Sequence, residues 1–145
     1  MKKLGKSSKK GFTLVELIVV LVILAVLAAM LVPALVGYID RAKKEKDFQA
    51  ASTIYAAAQA LATEDYGKGK SLGTNLTIAG LKDLAGVTTL SSAKYDVSDS
   101  SATDGKAYTI TAFSVTFDGT HWYNYSTTTN EWVAGNSATA STAIS

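Results

Sequence analysis

The chain of 145 residues contains no cysteine and a single histidine, His121. The absence of cysteine excludes disulfides and Cys–His catalytic pairs, and one histidine excludes metal sites that use two. A Ser-His-Asp arrangement could use only His121, which falls in a predicted strand opposite Thr116 and is interpreted as an ordinary strand residue. Because no other catalytic constellation is visible, the sequence predicts that the protein is not an enzyme.

Charged residues of either sign are also few, and the small excess of positive charge comes from the N-terminal residues. The chain has 14 Lys and Arg residues against 12 Asp and Glu residues, a formal net charge of +2. Without residues 1–11, nine basic side chains remain against twelve acidic ones, because five lysines precede residue 12: Lys2, Lys3, Lys6, Lys9 and Lys10. The remainder lacks the basic surface that nucleic acid requires, so we expect no nucleic-acid partner.

What the sequence does contain is an apolar run of twenty residues, 17–36, without a polar side chain. An α-helix rises about 1.5 Å per residue, so this run can cross the ~30 Å hydrocarbon core of a membrane. The preceding lysines favour the cytoplasmic side, which places the rest of the chain outside. A conventional secretory signal cut after Ala28 is disfavoured, because residues 29–32 continue the run and the cut would expose an apolar end.

The residues that precede the run read Lys9-Lys10-Gly11-Phe12-Thr13-Leu14-Val15-Glu16. They resemble the type IV prepilins and pseudopilins, in which a short basic leader and a glycine precede Phe-Thr-Leu-Val-Glu-Leu and a long apolar helix. The resemblance covers about the first forty-five residues. It implies cleavage between Gly11 and Phe12 by a prepilin peptidase on the cytoplasmic face, and methylation of the new Phe12 amine. It further implies extraction from the membrane, through an assembly platform, into a helical filament.

Glu16 and Pro33 are the two residues of the apolar helix to which the resemblance gives a role in assembly. A charge at mid-membrane costs roughly 2.5–3.5 kcal/mol, and less near the edge. Glu16 is therefore either a carboxylate that is protonated or extends to the interface, or, as the resemblance implies, an ion-pair partner of the Phe12 amine of a neighbouring subunit. Pro33 removes the hydrogen bond to the Ala29 carbonyl, which predicts a weak point at residues 29–37.

Beyond the apolar run, mixed charges at residues 40–47 mark the emergence of the helix into water. They are interpreted as a solvated helix face, with charge pairing between adjacent subunits as the alternative. The helix is predicted to extend from about residue 12 to 65, its second half amphipathic and carrying the apolar stripe Phe48, Ala51, Tyr55, Ala58 and Ala62. The predicted organisation is a leader at 1–11, a transmembrane and assembly helix at 12–37, an extracytoplasmic head at 38–135 and a flexible tail at 136–145.

The head is predicted to combine the second half of the helix with a small antiparallel sheet, which gives an α+β, pilin-like fold. A short helix is predicted at residues 78–84, and alternation at 107–133 predicts strands with a bulge near Ala112–Phe113. Asp118-Gly119 predicts a two-residue hairpin turn that sets Val115 opposite Trp122. Trp122 is expected against the helix, near Tyr55 and Ala58. A third strand is predicted at residues 131–133, and the Ser-, Thr- and Ala-rich tail is expected to bury almost nothing.

Two groups of residues are candidate ligand sites. Asp96, Asp99 and Asp104 form a predicted acidic loop, which is a weak candidate for calcium because it lacks the spacing of an EF-hand; the alternative is ordinary turn residues. No other cofactor is expected. Four aromatics are either a stacking platform for glycan or single-stranded nucleic acid or, as the strand spacing favours, core residues and cross-strand pairs: Trp122, Tyr123, Tyr125 and Trp132.

The sequence is therefore interpreted as a structural subunit of a type IV pilus or pseudopilus, with other copies of itself as its main partner. Its expected location is a single-pass inner (cytoplasmic) membrane protein with the head outside, and then an extracellular or cell-envelope filament. Major pilins, minor pilins and secretion or competence pseudopilins all fit this pattern. The alternative from another class is a signal-anchored extracellular binding module that forms no filament.

Overall fold

The computed structural model describes residues 11–100 and 105–145. Two helices and five strands follow one another along the chain: α1 (Leu14–Gly67), α2 (Ile78–Ala85), β1 (Ser92–Val97), β2 (Ile110–Thr116), β3 (Trp122–Ser126), β4 (Glu131–Gly135) and β5 (Thr142–Ala143), with a short 3-10 turn at Gly105–Tyr108 before β2. The chain divides into two compact units, Met1–Ala42 and Lys43–Ser145, and α1 contributes to both. The leader residues before Gly11, and Asp104, lie outside the described residues.

The long N-terminal helix predicted from the apolar and amphipathic patterns is confirmed as α1, which has 54 residues. Pro33 lies inside α1 without ending it. The helix ends at Gly67, where Gly69 adopts a left-handed conformation with φ of 61°. The Lys70 N–H then donates to the Asp65 carbonyl at 2.8 Å, which satisfies one of the last helical carbonyls in the manner of a Schellman end.

In the first unit, the described part of α1 is exposed along its whole length. Its apolar side chains stand about half to three-quarters exposed, as in Leu17 at 50% and Leu14 at 75%. By length and composition, α1 is the one helix among the described residues that could cross a bilayer.

The second unit is an antiparallel sheet with strand order β4-β3-β2-β1-β5, and the second half of α1 packs on one face of it. The packed residues of α1 recur at helical spacing: Ala51, Ile54, Ala57, Ala58 and Ala62. From the sheet, Phe113, Val115 and Tyr123 complete the core. This arrangement confirms the predicted α+β fold class. The predicted helix at 78–84 is also confirmed, as α2, which begins with the Thr77 side chain accepting a hydrogen bond from the Gly80 N–H.

The register of the β2–β3 hairpin differs from the prediction by one residue. Trp122 lies opposite Thr116, and Tyr123 lies opposite Val115. Residues 117–121 form the loop, because the Asp118 carboxylate accepts the backbone N–H groups of Thr120 and His121 and holds both outside the strand. The prediction that His121 is a strand residue opposite Thr116 is therefore wrong.

A one-residue slip moves every side chain of a strand to the other face of the sheet. Tyr123 consequently faces α1, and the predicted place of Trp122 beside Tyr55 and Ala58 is wrong. Trp122 is half-buried on the opposite face, where the Lys94 ammonium lies 5.7 Å from the centre of its indole ring.

The irregularity predicted near Ala112–Phe113 occurs at the neighbouring position. Asp96 lies opposite Ala112 and Val97 opposite Ile110, so Thr111 is the extra residue of a bulge in β2. The third predicted strand is confirmed as β4. The sequence does not predict β1 (Ser92–Val97), because Asp96 belongs to the stretch that is interpreted as an acidic loop.

The expectation of an unpacked tail at residues 136–145 is corrected by the structure. The chain crosses the sheet face opposite α1, where the buried Ser114 hydroxyl accepts the N–H groups of Thr139 and Ala140 at 3.1 and 3.0 Å. Asn124 holds the same segment through the Thr139 N–H and the Ser137 carbonyl. β5 then pairs with β1, and Ile144 is buried at 6% exposure. Small residues pack here through their backbone groups, which a count of apolar side chains does not detect.

Candidate functional site

The first turn of α1 is closed by a reciprocal pair of hydrogen bonds between Thr13 and Glu16. The Thr13 N–H donates to Glu16 Oε2 at 2.8 Å, and the Glu16 N–H donates to Thr13 Oγ1 at 3.3 Å. This is a capping box, in which two N–H groups left without helical partners are satisfied. The sequence analysis missed this role of Glu16, although the pattern Thr13-x-x-Glu16 before an apolar run is its recognised signal.

Gly11 and Phe12 lie immediately before this capping box, outside the helix. Phe12 is 82% exposed, and among the described residues beyond its chain neighbour no atom lies within 4 Å of the position that a Gly11 side chain would take. The described part of the chain therefore leaves the peptide bond between Gly11 and Phe12 accessible to another protein. Its cleavage would create an amine at Phe12, one residue before the N–H that Glu16 already binds.

The exposed apolar surface of α1 begins immediately after this first turn. It extends without a polar side chain from residue 17 to residue 36. An exposed apolar surface of this extent marks contact with a membrane or with other protein. Pro33 lies within it and leaves the Ala29 carbonyl without its usual helical donor. The helix is continuous at residues 29–37 in the single chain, so the predicted weakening in a fibre stays a prediction.

Of the three acidic candidates, the structure describes Asp96 and Asp99. Asp96 lies in β1, and its Oδ1 accepts the backbone N–H of Ser141 at 3.0 Å as well as the Ser141 hydroxyl. Asp99 follows β1, and Asp104 is outside the described residues. In residues 11–100 and 105–145, no group of three or more histidine or acidic side chains could hold a metal ion. Calcium binding stays an untested prediction, and the Asp96 carboxylate instead anchors the tail.

Three of the four candidate aromatics belong to the core, as the strand spacing indicated. Tyr125 packs on Tyr55 with ring centres 4.6 Å apart, and Trp132 lies 5.3 Å from Tyr125. Tyr123 makes an edge-on contact with Phe48 at 5.0 Å. These rings face α1 and are not available as a stacking platform.

Two polar contacts lie near the end of the sheet at which α1 enters the second unit. Tyr123 donates its hydroxyl to Asp47 Oδ2 at 2.9 Å. Burial, this bond and the nearby carboxylates raise the pKa of Tyr123 to about 12. In the exposed loop, the His121 ring nitrogen Nδ1 lies 2.6 Å from Asp118 Oδ2. The His121 backbone N–H holds the pKa of Asp118 well below its usual range.

The fold and this exposed helix start define the class of protein: an α+β protein with a long N-terminal helix that fits membrane anchoring. Residues 6–32 match the prokaryotic N-terminal methylation motif. No curated protein matches the chain, and no solved structure does. The chain therefore carries the signature of type IV pilins and pseudopilins on a pilin-like fold, which confirms the resemblance seen in the sequence. The motif supports a pilin-like precursor and a structural protein rather than an enzyme.

Proposed function

We propose that the protein is a structural subunit of a type IV pilus or pseudopilus that assembles through its N-terminal helix. The observation that carries this proposal is the position of the methylation motif. It covers an accessible Gly11–Phe12 bond, the Thr13–Glu16 capping box and the first part of a fully exposed apolar helix. A prepilin peptidase cuts after Gly11, the Phe12 amine is methylated, and an assembly platform transfers the subunit from the membrane into the filament.

Assembly replaces lipid around the apolar half of α1 by identical helices. Because lipid tails are as apolar as leucine, the hydrophobic effect does not favour one stagger of these helices over another. A carboxylate and an ammonium are each costly in such surroundings and much less so when paired. Pairing of Glu16 with the Phe12 amine of a neighbour therefore selects one stagger between subunits.

The capping box is compatible with this pairing. A carboxylate can accept about four hydrogen bonds, so the bond from the Thr13 N–H leaves capacity for a neighbour's ammonium. The bond also holds the Glu16 side chain toward the N-terminal end of its own helix, on the side where a neighbouring Phe12 must approach. A precursor in the membrane thus keeps its carboxylate satisfied before any neighbour arrives.

The proposed location follows from the same features. The leader lysines stay on the cytoplasmic side, the second unit lies outside, and the assembled filament is extracellular or within the cell envelope. The alternative, an anchored binding module without a filament, loses support because three of the four aromatic residues that would form its binding platform pack against α1: Tyr123, Tyr125 and Trp132.

Mass spectrometry of the N-terminus tests the proposal. We expect the membrane and sheared-fibre fractions to contain a chain that begins with methylated Phe12. Gly11→Val should leave the precursor uncut in the membrane, because a branched side chain then precedes the cleaved bond, whereas Gly5→Val serves as a control and should be processed normally. An intact Met1 in wild-type protein, or filaments of normal length built from uncut Gly11→Val protein, would overturn the proposal.

A further inference from the structure

The two edges of the sheet are very different. β5 at one edge has two residues, whereas β4 at the other edge is a regular five-residue strand. All five residues of β4 pair with β3 without a register shift, and in the described part of the chain no further strand covers its outer side. A regular open edge presents unpaired N–H and C=O groups to any extended chain.

Natural sheets usually protect such an edge with lysine, proline or a bulge. β4 has none of these. Its sequence is Glu131-Trp132-Val133-Ala134-Gly135, in which the only charge is at the first position. Val133, at the centre, is 60% exposed, and Ala134 is exposed beside it. The central part of the edge is therefore apolar and open.

The β4 sequence is complementary to itself in the antiparallel direction. When two copies pair about Val133, Trp132 of each copy lies opposite Ala134 of the other, so a large side chain meets a small one. Val133 lies opposite Val133, and Glu131 lies opposite Gly135, which keeps the two carboxylates apart. Opposed β-branched and apolar pairs stabilise a sheet, and opposed like charges destabilise it. A two-fold axis through Val133 satisfies all five positions at once.

We propose that β4 is a docking edge for β4 of a second copy, which joins two five-stranded sheets into one of ten strands. The pair is held by backbone hydrogen bonds along the edge and by contact between the two Val133 side chains.

Antiparallel pairing of β4 also sets the direction of the α1 segments that pack on the joined sheet. Within the second unit, α1 runs from Asp47, bonded to Tyr123 near the start of β3, to Gln59, bonded to Ile110 at the start of β2. The pairing reverses this direction in the second copy, so the two packed segments run in opposite directions.

Single-cysteine cross-linking of the full chain in detergent micelles tests the proposal, because the chain has no cysteine of its own. Opposed residues have Cβ atoms about 4.5–5.5 Å apart, close to disulfide distance. We expect Val133→Cys to form a disulfide-linked dimer on the order of tenfold faster than Leu84→Cys, since pairing raises the effective concentration. Leu84 is a matched control at 56% exposure on α2.

Glu131→Cys gives a control on the same strand. In the proposed register the two Glu131 positions are four residues apart, about 14 Å, and cannot be bridged. Equal rates for Val133→Cys and Leu84→Cys would overturn the pairing, and rapid linking of Glu131→Cys would overturn its antiparallel register. Val133→Lys should abolish the dimer seen by light scattering while near-UV circular dichroism stays native. A dimer that survives Val133→Lys, or that is equally weakened by Leu84→Lys, would also refute the proposal.

Discussion

Tyr123 and Asp47 are joined by a hydrogen bond of 2.9 Å across 76 positions of the sequence, from the start of β3 to the helix that enters the sheet. The bond lies beside the Phe48–Tyr123 ring contact, so it fixes the polar end of an otherwise apolar interface. Because of this bond, the stability of the second unit depends on whether the Tyr123 hydroxyl is protonated.

The first prediction concerns stability in alkali. The pKa of Tyr123 is raised from 10.0 to about 12 in the folded protein, first by burial and then by the bond to Asp47. A raised folded pKa means that the stabilisation is complete below pH 10 and is lost as the pH rises from about 10 to about 12. We expect Tyr123→Phe to lower the free energy of unfolding at neutral pH by about 1 kcal/mol and to make its decline above pH 10 less steep.

Urea unfolding in micelles, followed by the fluorescence of Trp122 and Trp132, measures this dependence within the second unit. Asp47→Asn is the matched control, because its amide oxygen still accepts the Tyr123 hydroxyl while the negative charge is gone. It should give a decline intermediate between wild type and Tyr123→Phe. If the free energy of unfolding declined with pH at the same rate in all three proteins, ionisation of Tyr123 would not be the cause of the decline.

The second prediction separates the two roles of Glu16. Glutamine can also close a capping box, so Glu16→Gln should preserve the helix start while removing the charge. Glu16→Leu removes both. We expect both variants to insert into the membrane at least as well as wild type, because a desolvation cost disappears, and to give little or no homopolymeric filament. Thr13→Ala weakens the cap by about 1 kcal/mol but keeps the charge, and should retain most assembly.

Quantifying sheared filaments against membrane-bound precursor gives the result for all three variants. Wild-type filament yield from Glu16→Gln as the only subunit would mean that the capping box, and not the charge, is what assembly requires.

The third prediction concerns the tail. Deleting residues 136–145 removes Ile144 from the core and uncovers Ser114 and the β1 edge, which we expect to cost on the order of 3 kcal/mol or more. Ile144→Ala alone should cost about 2 kcal/mol. Trp122→Ala, on the outer face, should cost only about 1 kcal/mol. Urea midpoints of the full chain in micelles rank the three changes. A truncation milder than Trp122→Ala would contradict the packing described for the tail.

The fourth prediction concerns Pro33. The helix is continuous through residues 29–37 in the single chain, with the Ala29 carbonyl lacking its donor. We expect this segment to bend or lose helix in the fibre, because the heads and the apolar helices pack separately there and can place the segment between them under tension. Pro33→Ala should restore the missing bond and give a stiffer fibre that extends less under force. Hydrogen exchange at residues 33–37 compares fibre with monomer, and equal protection in both would refute the prediction.

The sequence predicts those parts of the fold that are encoded by long hydrophobic patterns. Twenty apolar residues and the stripe from Phe48 to Ala62 predict α1 to within about two residues at each end. The β2–β3 register was missed because it depends on one side chain: Asp118 caps two loop N–H groups and widens the turn from two residues to five. β1 alternates Ala93, Tyr95 and Val97 with polar residues, but the alternation is short and Asp96 looked like part of a loop.

Gly11, Phe12 and Glu16 could be named as candidates from the sequence because they belong to one contiguous motif, and their roles in cleavage, methylation and assembly stay predictions. The bonds of Ser114 and Asn124 to the tail could not be predicted, because they join residues 13 to 26 positions apart and use backbone N–H and C=O groups that most residues have. The polar composition of the tail therefore predicts an unpacked segment, whereas in the structure hydrogen bonds from Ser114 and Asn124 hold the tail against the sheet.

Under the proposed export of the second unit, the closing strand β5 sets an order of events. Residues 142–145 complete the β1 edge and the core, so the second unit would be finished only after these last residues had crossed the membrane. In that proposal the apolar half of α1 is inserted first, and the second unit folds afterwards while other copies are held in the same membrane. Closure of the β1 edge by the chain's own tail is favoured over exchange of β5 with another copy, because only six residues separate β4 from β5 and the tail is therefore present at high effective concentration.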